Sequence, residues 1–291
     1  MSNTRIVRIS GGLEEQLYQY AFLRYIEIST NEKCLVDDSD LCMGKNQYEL
    51  EKAFDIKLNL LSDYFSGDVW NEVISKKSEG YSVPQQLLEN GLDIMLVTET
   101  DDYLFSGNVI QFDPNLISEG VLSAYTNARG NVYYQGSFTN PIYFFRCLEA
   151  LRKELAFPKI KETLDTDTIN RQYANLMHIT NSVAIYVKGS SLIERYANII
   201  DKLKKNGEKY TYFIFSDDIK WCKAHRKELG LRQALEDVIY VEENLQAGNR
   251  YMDMHLMGLC KKLIMTDEDF VKWAFYLHMR NDLELIDVNE L

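Results

Sequence analysis

Proline is nearly missing from this chain, with four in 291 residues, and glycine numbers only fifteen. Collagen-like, proline-rich and low-complexity polymers are thereby excluded, and a compact fold is expected throughout. Excess positive charge is missing too: 32 lysines and arginines stand against 44 aspartates and glutamates, a net charge of −12. The average surface repels a nucleic-acid backbone, so no nucleic-acid partner is expected, although a local basic pocket for a small phosphate is still allowed. No apolar run approaches the roughly 20 residues of a spanning helix, and the N-terminus lacks the basic-then-apolar order of a signal peptide, so a cytoplasmic protein is expected. The five cysteines, Cys34, Cys42, Cys147, Cys222 and Cys260, are scattered and never closely paired. They read as buried free thiols rather than a zinc or redox site. The four histidines lack the i, i+4 spacing of a metal pair, so no metal is expected.

What is present is enough apolar residue, 46%, to build two α/β domains. Arg5 to Ile9 is a short apolar-rich run, Gly11-Gly12 turns the chain, and Leu13, Leu17, Tyr20, Ala21 and Ile28 recur at helical spacing. Lys33 to Val36 reads as a second strand and completes the β-α-β opening of a doubly wound sheet. From Cys42 to Asn131 the pattern is less regular, with a helix before Gly91, a strand at Ile94 to Val97, and turns near Gly107 and Pro114, in an order the sequence leaves open. Val132 to Gly136 reads as a strand, and Tyr143 to Phe157 as a helix stopped by Pro158. The stretch 156–180 is polar and, from Pro158 to Thr180, helix-compatible, and it is expected to link two domains, residues 1–155 and 181–291. After Asn181 the alternation is clear: strand-like runs begin at Val183, Tyr210, Val238, Leu263 and Leu283, and helical periodicities begin at Leu192, Ile219, Tyr251 and Phe270. Five strands alternating with four helices describe a Rossmann-like domain.

Several polar positions invite both a functional and a plain reading. Gly11 and Gly12 suit close approach of backbone to a ligand, or an ordinary tight turn. Glu14 and Glu15 fit the favourable start of a helix. Gln16 and Gln19 could bond sugar hydroxyls or solvate a helix face. Ser216, Asp217 and Asp218 follow an apolar strand and precede a helix, where one carboxylate would serve as N-cap and the other could meet a nucleotide. Tyr251, Met254 and Met257 read as core, which leaves Asp253 as the polar candidate on that helix.

Four segments, in order, resemble a known family. Gly11 to Ala21 is similar to the opening G-G-L-G-N-Q-M-F-Q-Y-A of bacterial α-1,2-fucosyltransferases, glycosyltransferase family eleven, and Val132 to Gln135 to their G-Y-W/F-Q segment. Phe215 to Cys222 resembles F-S-D-D-x-x-W-C, and Tyr251 to Lys261 resembles Y-x-D-M-x-L-M-S-L-C-K. The resemblance implies a GT-B-like α/β fold, two Rossmann-like domains facing a cleft, with the N-terminal domain on the acceptor side and the C-terminal domain on the donor side. It implies metal-independent, inverting transfer of fucose from GDP-fucose to a glycan hydroxyl in bacterial surface-polysaccharide synthesis, with no cofactor beyond the GDP-sugar co-substrate. The partners are then a nucleotide sugar and a glycan acceptor, and a lipid-linked acceptor would bring peripheral association with the inner membrane.

The donor site implied in this way comprises Gly11, Gly12, Gln16, Lys188, Gly189, Ser190, Ser216, Asp217, Asp218, Asp253 and Phe270, with Lys188, Glu194 and Asp217 as catalytic candidates. The family's phosphate motif H-x-R-R-G-D is replaced by Tyr186 to Ser191, in which Lys188 is the sole cation. Lysine attracts a diphosphate but lacks the bidentate fork of a guanidinium. The family's loop after that motif is absent, and Asp267, Glu268 and Asp269 place carboxylates where an amide and hydroxyls stand in the family. These departures leave a second reading, a non-catalytic relative that binds a glycan or a protein partner.

Overall fold

The computed structural model describes residues 3–44, 48–100, 103–126, 128–157, 165–231, 237–278 and 280–289. They form two compact units, Met1–Glu154 and Leu155–Leu291, each built on a five-stranded, wholly parallel sheet. Two Rossmann-like α/β units of this kind constitute the GT-B-like class.

In unit 1 the strands are β1 (Arg5–Arg8), β2 (Cys34–Asp37), β3 (Ile94–Thr98), β4 (Asn108–Gln111) and β5 (Asn131–Gln135), in the order β2-β1-β5-β3-β4. The helix Leu13–Thr30 joins β1 to β2. Its N-terminus is closed by Glu15, whose carboxylate accepts the Gly12 N–H at 3.0 Å, and its C-terminus by Asn31 in the left-handed region. The helix buries Leu17, Tyr18, Ala21, Phe22 and Ile26, and the Phe22 ring stacks on Phe138 with centroids 3.8 Å apart. β4 escaped the sequence reading because Asn-Val-Ile-Gln at a sheet edge is only half-buried. It is joined to β3 by residues 99–107 alone, of which Tyr103 and Phe105 cover the core beneath. The expected helix from Tyr143 is shorter, Leu148–Glu154, and is preceded by two 3-10 turns, while Pro158 lies outside the described residues.

Unit 2 carries β6 (Ser182–Val187), β7 (Thr211–Ser216), β8 (Asp237–Tyr240), β9 (Lys262–Met265) and β10 (Glu284–Asp287), ordered β10-β9-β6-β7-β8. β6 and β7 are buried along their whole length, as strands covered on both faces must be. This order is that of a Rossmann half, whose topological switch point lies between β6 and β9. The helix Ile193–Lys205 covers one face with Tyr196, Ile199, Ile200 and Leu203, and it carries Glu194 in its first turn and Lys202, Lys204 and Lys205 in its last, matching its dipole. Part of the stretch expected to act as a linker belongs to unit 2: the helix Asp165–Ile179 packs on β6 and on the helix Tyr251–Leu259, with Asn170 and Met177 buried. Residues 158–164 of that stretch are outside the described residues. Four cysteines are buried free thiols, but Cys42 is exposed.

Candidate functional site

In an open parallel sheet, ligands bind beyond the carboxyl ends of the strands at the switch point. In unit 2 that place is charged. Lys188 leaves β6 and Glu268 follows β9, and the ammonium Nζ donates to Glu268 Oε2 at 2.8 Å, so an ion pair spans the crevice. This hydrogen bond and charge hold the Lys188 ammonium above its ordinary range. Gly189 has a φ of +63°, which accounts for glycine after the strand, and the Ser190 carbonyl accepts the Ile193 N–H. Glu194 is exposed on the helix that follows.

Beside this pair stands a second one. Asp217, the residue after β7, binds Arg250 Nη2 through Oδ1 at 2.9 Å and accepts the Tyr186 hydroxyl on Oδ2 at 3.2 Å. Arg250 also donates to the Tyr186 hydroxyl through Nη2, and its guanidinium lies over the Phe270 ring, 4.6 Å from the centroid. Phe270 in turn packs on Tyr186, with centroids 5.2 Å apart. Burial pushes the Tyr186 phenol up, so it stays a hydroxyl.

Other sequence candidates support this edge from beneath. Asp218 is the N-cap of the helix Ile219–Ala224 and accepts the Trp221 N–H at 2.9 Å, while the buried Ser216 Oγ accepts the Asp218 N–H at 3.0 Å. Phe270 is buried under the guanidinium rather than open to a ligand. Asp253 is also buried. It accepts Asn244 Nδ2 at 2.7 Å, and Asn244 is paired with Asn170, so this carboxyl ties the segment before Arg250 to the helix Asp165–Ile179. Burial raises the Asp253 carboxyl well above the usual range, to about 7.

Gly11, Gly12 and Gln16 belong to unit 1. Gly11 has a φ of +81°, and a Cβ there would stand 2.9 Å from Glu15 Cβ, so the turn itself requires glycine. Gln16, expected to bind the donor, is fully buried: it donates to the Gly11 carbonyl at 2.9 Å and accepts the Glu49 N–H at 2.9 Å, which makes it a strut between two segments. Gln19 likewise accepts the Ser10 N–H.

Two features escaped sequence reasoning. Arg250 lies just ahead of the matched helix motif, and the signal that could have found it is a lone arginine at a helix start, where the dipole disfavours positive charge unless an anion is near. The other is a cavity of about 220 Å³ beside the carboxyl ends of β1 and β5, lined by Arg8, Lys77, Tyr81, Tyr103, Tyr133 and Gln135. There Asp40 joins Arg8 Nε at 2.6 Å and Lys77 Nζ at 2.9 Å, and Tyr133 donates to the buried Asp37. Against the opposing effect of burial, Arg8 and Lys77 hold the Asp40 carboxyl below its usual range.

Comparison with known proteins follows the same lines. The profile described as glycosyl transferase family 11 matches residues 121–290. An α-1,2-colitosyltransferase of Escherichia coli is 24% identical over 94% of this chain and 87% of its own. The O-antigen biosynthesis glycosyltransferase WbnK of Escherichia coli is 22% identical over 94% of this chain and 90% of its own. Among solved structures, a mutant of Arabidopsis thaliana FUT1 in complex with GDP superposes with a TM-score of 0.59 at 13% identity, covering 98% of this chain and 70% of that one. NodZ α-1,6-fucosyltransferase from Bradyrhizobium, soaked with GDP-fucose, gives 0.54 at 13% identity, covering 95% and 93%.

Proposed function

Because the chain belongs to glycosyl transferase family 11 and is a glycosyltransferase, we propose that it transfers a fucose-type sugar from a GDP-sugar, in α-1,2 linkage, to a hydroxyl of a bacterial surface glycan. The observation that carries this reading is the pair of cations, Lys188 and Arg250, held by carboxylates at the switch point of the unit 2 sheet. A leaving nucleoside diphosphate needs positive charge in place before the bond breaks, and preorganised donors supply it without reorganisation. The aromatic floor of Tyr186 and Phe270 fixes part of that charge.

Unit 1 would hold the acceptor. Its cavity combines tyrosine rings, against which the CH face of a sugar can pack, with the Arg8, Lys77 and Gln135 side chains for hydroxyls. Single displacement then requires a base for the acceptor hydroxyl. Of the two carboxylates among the catalytic candidates, Asp217 is an unfavourable choice because both its oxygens are engaged, which leaves Glu194, exposed in the first turn of the helix Ile193–Lys205. The choice of a colitosyl donor, prompted by the colitosyltransferase similarity, is the alternative within the same chemistry.

Incubation with GDP-fucose and a panel of other GDP-sugars, with O-antigen fragments as acceptors and mass detection of the product, tests this. Transfer of a single deoxyhexose is expected. Neither transfer nor donor hydrolysis with any member, with glycan binding retained, would transfer support to the non-catalytic reading.

A further inference from the structure

The cavity beside β1 and β5 of unit 1 offers more than a neutral sugar needs. We propose that it takes a carboxylate-bearing sugar of the acceptor glycan, gripped end-on by the Nη1–Nη2 edge of Arg8. The inference rests on the reading that unit 1 holds the acceptor.

Arg8 ends β1, which lies between β2 on one side and β5, β3 and β4 on the other. Beyond such an edge, where the chain changes direction across the sheet, open parallel sheets bind their ligands. A guanidinium has two edges with parallel donors, one made by Nε and an Nη and one made by the two Nη groups. Asp40 takes Nε at 2.6 Å, and among the described residues nothing takes Nη1 or Nη2. Asp40 therefore orients the group without covering its end-on fork, whose two N–H groups match the two oxygens of a carboxylate. The Arg8 side chain is 31% exposed, so the fork is open to a ligand.

Charge around the cavity is layered. Among the described residues that line it, Arg8 and Lys77 are charged and none is a carboxylate, in a chain of net charge −12. The acids stand behind. One carboxylate, Asp40, is shared by both cations, and Asp37 is fully buried, where it accepts the Tyr133 hydroxyl and the Ser39 N–H. Counted together the two cations and two carboxylates balance, so a ligand meets donors first and gains from the fork at close range. Lys77 is already engaged by Asp40 and by the Ser39 hydroxyl. One free fork suits a single planar carboxylate, whereas a phosphate dianion would need a further open cation. The Tyr81 and Tyr103 rings offer faces for the sugar ring that bears the carboxylate. At about 220 Å³ the cavity lies below the roughly 300–1,000 Å³ of sites for drug-sized ligands, which suits one such ring.

Ligand-observed NMR titration of the full chain with methyl glucuronides and galacturonides, each beside its neutral glucoside or galactoside, tests the assignment. At least one uronide should bind wild type about fivefold more tightly than its neutral counterpart, as a charge-assisted bond at a partly exposed site predicts. Arg8→Lys, which keeps the ion pair with Asp40 and loses the fork, should bring the two affinities within about twofold. Wild type alone carries the first comparison, and an unchanged melting temperature in Arg8→Lys secures the second. No preference in wild type would overturn the assignment and leave the cavity as a site for a neutral sugar. A preference that survives in Arg8→Lys would overturn it too, as would tighter binding of glucose 1-phosphate than of any uronide. Binding of no sugar overturns it as well, and the acceptor reading is then judged apart: an acceptor KM unmoved by Tyr81→Ala would remove that reading.

Discussion

Asp253 and His255 sit two residues apart on the same helix and are both shifted by burial, in directions that weaken the fold at opposite ends of the pH scale. The Asp253 carboxyl releases its proton at about 7 when folded and near 4 when unfolded. Between those values the folded state holds the extra proton, so stability falls as pH rises from about 4 through 7. Asp253→Asn mimics the protonated form and can still accept the Asn244 amide. Its stability should match wild type near pH 4, exceed it increasingly up to pH 7, and keep a constant advantage of up to about 4 kcal/mol above that, with the melting temperature moving in the same direction. A difference that does not grow with pH, followed by thermal melts in a buffer series, would refute the role. His255, packed on Phe157 at 4.7 Å, is held down to about 4 by burial. Its contribution is present above about 6.5 and is lost as pH falls toward 4, so His255→Gln should flatten the acid limb of the same series.

At the scale of elements, the aromatic wall of unit 1 stabilises the turn after β5. Phe138 is fully buried with a φ of +52°, a conformation that costs a non-glycine residue about 1 kcal/mol or more. Its N–H is accepted by Glu99 at 2.7 Å, and its ring is stacked on Phe22 and edge-on to Tyr143. The packing outweighs the strain. Phe138→Ala should therefore cost about 3–5 kcal/mol in denaturant unfolding, whereas Phe138→Gly should cost less than Phe138→Ala despite the smaller side chain, because glycine relieves the backbone. The reverse ranking would show that the strain is negligible. This turn was invisible in the sequence, where Ser137-Phe138-Thr139 carries no glycine or asparagine to mark a left-handed residue. By contrast, the Gly11 turn and the Asp218 cap were legible, since glycine and aspartate there announce their backbone roles directly.

For the whole molecule, the strands of unit 2 were readable because each is an uninterrupted apolar run bounded by polar residues. The helix Asp165–Ile179 is legible as helix-compatible, but its packing on unit 2 is not, because its surface is mostly polar and only scattered positions such as Asn170 and Met177 are buried. Arg250 was missed for a different reason: its value comes from Asp217 and Phe270, both distant in sequence. The Asn170–Asn244–Asp253 chain of hydrogen bonds makes the helix part of unit 2. A fragment spanning 155–291 should accordingly give dispersed amide resonances and cooperative melting, and one spanning 181–291 should not, since removing the helix takes away Asn170, the partner of Asn244, and the buried Met177. Equal behaviour of the two fragments would show that the helix is dispensable.

The strand order of unit 1 also has a consequence for the order of synthesis. β5 is the last of its strands to leave the ribosome, yet it belongs between β1 and β3. Until it arrives, the nascent chain holds two strand pairs, β2-β1 and β3-β4, each with an inner edge whose N–H and C=O groups lack partners, and such edges recruit other chains. The sheet of unit 2 begins with its central strand, β6, and can add neighbours outward as they appear. Translation-arrested chains that expose residues up to 130 should remain protease-sensitive and prone to chaperone capture, and those that expose residue 154 should become resistant, in a single step that marks the insertion of β5.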